Sequence, residues 1–194
     1  MEDLLQLRKV GSYLQGHPNM NSVPGVDMST GSLGQGISTA CGMALAAKVQ
    51  KKTNRVYTLL GDGEIQEGQV WEACMFASHY ALDNLCVIID NNGLQIDGEV
   101  AKVMSPYPIG AKLAAFGFHV QHIDGHNFDQ IEAALEKSKT VTGQPTAIVM
   151  KTTKGKDVSY MENNAGWHGK APNDAEYEQA MNELNAILAE LEGN

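Results

Sequence analysis

Two stretches decide the fold: RVYTLLGDGE at residues 55–64 and LCVIIDNNG at residues 85–93. Each opens as a short run of mostly aliphatic and β-branched residues and stops abruptly in a polar turn, the pattern of a strand covered on both faces. Asp62 in the first turn and Asn92 in the second stand thirty residues apart, about the length of one βαβ unit. That spacing predicts two parallel strands with a helix between them, and it puts both turns at the carboxyl ends of the strands. Ligands of open α/β sheets bind at that edge.

Beyond these two, FHVQHI at 118–123 and TAIVM at 146–150 are further strand candidates. Helical stretches fall at 34–50, 67–80, 108–116 and 127–141. The alternation predicts an α/β fold, a doubly wound and mainly parallel sheet with helices on both faces and right-handed crossovers. Small residues along 34–50 (Gly36, Ala40, Gly42, Ala44, Ala46, Ala47) permit close approach of another backbone, either this chain's own sheet or a second subunit. Leu4–Leu14 reads as a short helix ended by Gly16-His17-Pro18, because proline biases the preceding residue away from helical angles. Residues 16–32 read as an ordered loop and 154–173 as a long one, which in a compact domain is functional or disordered. A polar helix closes the chain at 174–192. The whole, 1–194, is expected to be one domain.

Composition excludes several function classes. The chain has 14 Lys and Arg against 23 Asp and Glu, a net charge of −9. That argues against nucleic acid and against a membrane surface, both of which favour basic patches. No apolar run is long enough to cross a bilayer. The start, MEDLLQLRKV, lacks a basic lead followed by an apolar run, so a cytoplasmic protein is expected. Cys41, Cys74 and Cys86 form no CxxC pair and sit in apolar contexts, which predicts buried free thiols rather than disulfides or zinc ligands.

The two turns suit a hard cation. Asp62 offers a carboxylate oxygen, Asn92 an amide oxygen, and a backbone carbonyl just beyond Asn92 adds a third. Magnesium takes six oxygens at about 2.1 Å and completes its shell with phosphates and water. Gly61 and Gly63 let the backbone approach a phosphate closely, and the N–H groups of Gly63 and Glu64 can donate to it. Taken singly, GDG is a common turn and Asn-Asn-Gly an ordinary loop; the specificity lies in the pair at this spacing.

The GDG–NN pair resembles the fingerprint of thiamine diphosphate enzymes. Further segments narrow the resemblance to the N-terminal region of the transketolase family: Gly16-His17-Pro18, Pro24-Gly25-Val26, Ser29-Thr30-Gly31-Ser32-Leu33-Gly34-Gln35-Gly36, Leu60 through Gly68, and Gly166-Trp167-His168-Gly169-Lys170-Ala171-Pro172. They run in family order over nearly the whole chain, and the form they most resemble is the N-terminal subunit of a split transketolase. The resemblance implies thiamine diphosphate and Mg2+ as cofactors, with the metal on Asp62, Asn92 and the backbone oxygen of Leu94. It places the diphosphate near Gly63 and His168 and the thiazolium ring near Gly31 and Leu33. His17 would contact donor-sugar hydroxyls, and Glu67 and Glu72 would join a glutamate network at a dimer interface. Implied partners are sugar phosphates and a C-terminal subunit carrying the pyrimidine-binding domain, in a homodimer or heterotetramer.

Each residue has a plainer alternative. His17 can cap a turn, Glu72 can be a solvated helix residue, and His119 and His122 suit packing or surface positions. His126, after the third strand, is a candidate to line the cleft. The family's Ser-Asn-Gly-His-Ala motif does not occur in this sequence, and Asp157 stands where a second glycine is expected. The expectation is an enzyme subunit inactive without its partner. The alternatives are a catalytically inactive remnant that binds a cofactor or partner, and a different thiamine enzyme such as a sugar-phosphate synthase or 2-oxo acid dehydrogenase.

Overall fold

A computed structural model describes residues 2–193. Strands β1 (Val56–Gly61), β2 (Leu85–Asn91), β5 (His119–Asp124) and β6 (Thr146–Lys151) form one parallel sheet in the order β1-β2-β6-β5. A short antiparallel pair, β3 (Leu94–Gln95) and β4 (Gly98–Glu99), follows β2 directly. Helices are α1 (Gln35–Val49), α2 (Gly68–His79), α3 (Val100–Val103), α4 (Ile109–Ala115), α5 (Phe128–Thr140) and α6 (Asp174–Glu192). The four main strands and their intervening helices stand where the sequence puts them. The hairpin β3–β4 and α3 lie in a stretch too short and too mixed to show a period.

The sheet's two faces are covered unequally. Alternation along β1 and β2 sends Leu60, Leu85, Val87 and Ile89 to one side, where Ile37, Ala40, Cys41 and Ala44 of α1 and Val70, Ala73, Cys74 and Ala77 of α2 complete the main core. Ala40 and Ala44 thus meet the chain's own sheet and Ala47 is buried, while Gly42 and Ala46 face outward. On the other side Cys86 and Ile148 meet Ala134 of α5 in a smaller cluster. All three cysteines are buried free thiols. Burial pushes the pKa of Cys41 and Cys86 up to about 11 and that of Cys74 to about 12, so they stay protonated near neutrality.

The helix expected over Leu4–Leu14 shrinks to a 3-10 turn at Glu2–Gln6. None of residues 2–17 is buried, and an isolated helix this short is marginal without a face to pack on. The segment 154–173 is an ordered run of turns. The Tyr160 hydroxyl donates to the Glu176 carbonyl at 2.6 Å, and the Tyr160 ring lies 5.0 Å from that of Trp167. The final helix starts on a capping box, with Asn173 accepting from Glu176 N while the Glu176 carboxylate accepts from Asn173 N.

Candidate active site at the carboxyl edge of the sheet

β1 and β2 pair in register with Gly61 opposite Asp90, and the Asp62 N–H donates to the Asp90 carbonyl at 3.1 Å. The two polar turns are therefore neighbours on one edge. Asp62 is 1% exposed, and its Oδ2 accepts from Gly93 N at 2.6 Å. A side chain of the first turn thus holds the backbone of the second. Burial pushes the Asp62 pKa above the usual carboxylate range, opposed by the N–H groups of Gly93 and Gly63. The ion pairs found among the described residues do not include it.

Asn92 is half-buried, and its Oδ1 accepts from Leu94 N at 2.9 Å. An amide oxygen has two lone pairs, so one stays open for a cation. Asp62 and Asn92 carry oxygens of the hard type that magnesium accepts, and Leu94, two residues beyond Asn92, carries a backbone carbonyl of the same type. A buried carboxylate with only N–H partners is what a resident cation would neutralise, so these residues fit a metal-diphosphate group. Groups of three or more His, Cys, Asp and Glu side chains suited to a metal are absent among the described residues.

Gly63 has an ordinary right-handed conformation, φ −69°. Its smallness matters for space instead: a Cβ there would come 3.0 Å from the Cβ of Gln95 in β3. Gln66 secures the same hairpin by donating to Gln95 Oε1 at 2.5 Å and to the Met104 carbonyl at 2.8 Å.

The loop at 16–34 reaches this edge through Glu64. Its carboxylate accepts from Gly34 N at 3.0 Å and from Gly61 N at 3.1 Å, clasping the start of α1 to the end of β1. The sequence suggests only the backbone N–H of Glu64 as functional; the structure adds a clasp made by its side chain. Within the loop, Gly31 adopts φ +129°, and a Cβ there would lie 2.4 Å from His17 Cδ2. His17 and Gly31 are therefore brought together, with the imidazole exposed on the loop surface. Leu33, 57% exposed, is an apolar side chain open to solvent beside them.

His168 follows a 3-10 turn, Ala165–Trp167, which packs against β4. The Lys170 ammonium sits 4.0 Å over the Trp167 ring and pairs with Glu176 at 2.9 Å, bracing the turn. His168 follows that turn directly and is exposed. Glu67 occupies the N-cap position of α2 beside Gly34, with no capping bond from its side chain, whereas Glu72 lies on the exposed face of that helix, away from the Asp62 turn's hydrogen bonds. His119 is half-buried at the start of β5, and His122 lies against Gly110. His126 accepts from Thr153 N at 2.8 Å and joins the turns after β5 and β6. Sequence reasoning missed Asp90, Thr152 and Tyr107. The Tyr107 hydroxyl donates to Asn91 Oδ1 at 3.0 Å, and Thr152 donates to the Asp90 carboxylate. Strand register brings Thr152 to Asp90, and the chain's path before α4 brings Tyr107 to Asn91.

The chain is similar to known proteins of one family. Residues 1–186 match the family model described as transketolase, thiamine diphosphate binding domain. The chain is 44% identical to the 6-deoxy-6-sulfo-D-fructose transketolase subunit of Clostridium sp. strain MSTE9, over 95% of this chain and 67% of that protein. It is 41% identical to an apulose-4-phosphate transketolase subunit of Phocaeicola vulgatus, over 96% of this chain and 66% of that one. The chain thus spans about two thirds of the length of these relatives. Among solved structures, the transketolase of Campylobacter jejuni superimposes with a TM-score of 0.89 at 34% identity, covering 95% of this chain and 30% of the other. The chain belongs to the transketolase family and carries its thiamine diphosphate-binding domain.

Proposed function

We propose that the chain holds magnesium thiamine diphosphate at the carboxyl edge of its sheet and forms the diphosphate-binding half of a ketol-transferring active site. The observation that carries this reading is the buried Asp62 carboxylate, fixed by Gly93 N–H beside the Asn92 turn. Asp62, Asn92 and the Leu94 carbonyl would hold the metal. The N–H groups of Gly63 and Glu64, behind Gly61, would receive the diphosphate together with His168. Gly31 and Leu33 would receive the thiazolium ring. When bound, the cofactor supplies a carbanion that attacks a ketose carbonyl and an electron sink for carbon–carbon cleavage.

The chain's residues would orient the sugar and move protons. His17, exposed on its loop, can donate to and accept from sugar hydroxyls, since a neutral imidazole carries one N–H donor and one acceptor nitrogen. Glu67 and Glu72, exposed on and beside α2, would face a second subunit. The two subunit relatives are named for a sulfonated and a phosphorylated monosaccharide, which supports anionic sugars, sugar phosphates among them, as substrates here. A C-terminal subunit would supply the pyrimidine-binding half, in a homodimer or heterotetramer.

Calorimetry tests the reading. Thiamine diphosphate should bind only with Mg2+ present, and Asp62→Ala or Asn92→Ala should abolish the heat. Addition of a C-terminal transketolase subunit should then give ketol transfer between sugar phosphates, with none from this chain alone. Magnesium-independent binding, or full turnover by the isolated chain, would contradict it.

A further inference from the structure

Asp90 is the last residue but one of β2, half-buried, and, besides its strand pairing, accepts three hydrogen bonds at the point where three strands end. Its carbonyl accepts from Asp62 N at 3.1 Å. Its Oδ1 accepts from the Thr152 hydroxyl, just past β6. Its Oδ2 accepts from Asn92 Nδ2 at 3.3 Å. The other end of the Asn92 amide, Oδ1, accepts from Leu94 N at 2.9 Å.

These contacts leave the amide one orientation. Turned over, Asn92 would set its oxygen against the Asp90 carboxylate and its NH2 against the Leu94 N–H, two repulsive contacts in place of two bonds. The oxygen is the atom a hard cation needs; the NH2 would repel it. Thr152 in turn fixes the carboxylate, so the orientation is referred to the rigid β2–β6 pair and not to the flexible side chain itself.

We propose that Asp90 is a positioning residue which locks the Asn92 amide with its oxygen toward the cation site before any cation arrives. The first half of this inference concerns the metal-free chain; the second, its effect on magnesium affinity, rests on the function proposed above. Groups that orient a metal ligand typically contribute 10–100-fold in affinity.

Two measurements on the full chain test it. In the metal-free protein, the Asn92 side-chain NH2 resonances, assigned with Asn92→Asp, should be a dispersed pair. Asp90→Ala should move them toward the positions of a free asparagine. Asp90→Asn retains an oxygen to accept from Asn92, while the Thr152 hydroxyl can turn to accept from the new amide, so it should restore the dispersed pair. In parallel, the Mg2+ concentration needed for thiamine diphosphate binding should rise about 10–100-fold in Asp90→Ala. Unmoved Asn92 resonances in Asp90→Ala overturn the inference whether or not cofactor binds. Moved resonances with unchanged magnesium dependence overturn its second half. Absence of magnesium-dependent binding in the wild-type chain would instead sink the proposed function and leave the amide measurement decisive for Asp90. If Asp90→Ala does not fold, Asp90→Ser, too short to span both partners, carries the same readouts.

Discussion

Asp62 is a carboxylate removed from water with N–H donors on it and no positive side chain paired to it. Burying a charge without a counter-charge costs stability. Asp62→Asn keeps an oxygen to accept from Gly93 N and removes that charge. The metal-free variant should therefore melt higher than the parent, by roughly 2–4 °C for a gain of about 1 kcal/mol. It should also lose the further stabilisation that Mg2+ and thiamine diphosphate give the parent. A scanning melt with and without the ligands checks both, and a lower melting temperature in the metal-free variant would contradict the account. Asp157 tells a smaller story at the same scale. It adopts φ +68°, a left-handed conformation in which glycine is free of strain and aspartate is tolerated. The sequence position where a glycine is expected is thus one whose backbone asks for it.

Among the elements, the loop at 16–34 is the one whose shape depends on a single close approach. Its His17 ring lies over Gly31, and Glu64 fastens its far end to β1. Gly31→Ala should cost about 1–3 kcal/mol, since it combines a strained φ with a collision against the imidazole. His17→Ala should relieve the collision and leave the backbone strain, so the double variant should be more stable than the two single effects summed. Urea melts of the four proteins measure this, and strict additivity would show that ring and glycine do not touch. The loop at 154–173 behaves differently. Its order comes from side chains packed on one another, Tyr160 on Trp167 and Lys170 over Trp167, contacts that leave no period in the sequence.

For the whole molecule, charge and apolar exposure lead to separate expectations. Asp83 sits at the amino end of β2, on the sheet edge remote from the candidate site. Burial raises its pKa, but the N–H of Gly143 and the Lys48 ammonium outweigh this and the net shift is downward. A carboxyl with a depressed folded pKa contributes stability above its unfolded pKa and loses it as pH falls through the folded value. Asp83→Asn should therefore be less stable than the parent at neutral pH, and the gap should close on acidification below about pH 4; a gap that persists in acid would assign it to another cause. Tyr57 and Leu59 of β1, 45% and 64% exposed, and Phe128 at the start of α5, 86% exposed, leave the sheet's second face partly bare. Leu184, Leu188 and Leu191 do the same along α6. Exposure on that scale favours association, and sedimentation of the chain at micromolar concentration should show species larger than a monomer. No helix among the described residues is long and apolar enough to cross a membrane.

The strands, their helices and the two polar turns were legible in the chain itself, because apolar runs of fixed length and the turns that end them are local properties of consecutive residues. Asp62, Asn92, His17, Gly31 and His168 could be singled out for the same reason: each lies within a short motif. Tertiary structure alone decided what those motifs do to one another. Strand order and register placed Asp90 opposite Gly61 and beside Thr152, brought the Glu64 carboxylate to Gly34, and laid the turn before His168 on β4. Those relations join residues that lie far apart in the chain, Asp90 and Thr152 by 62 positions, and nothing in the periodicity of either segment records the distance that folding removes between them.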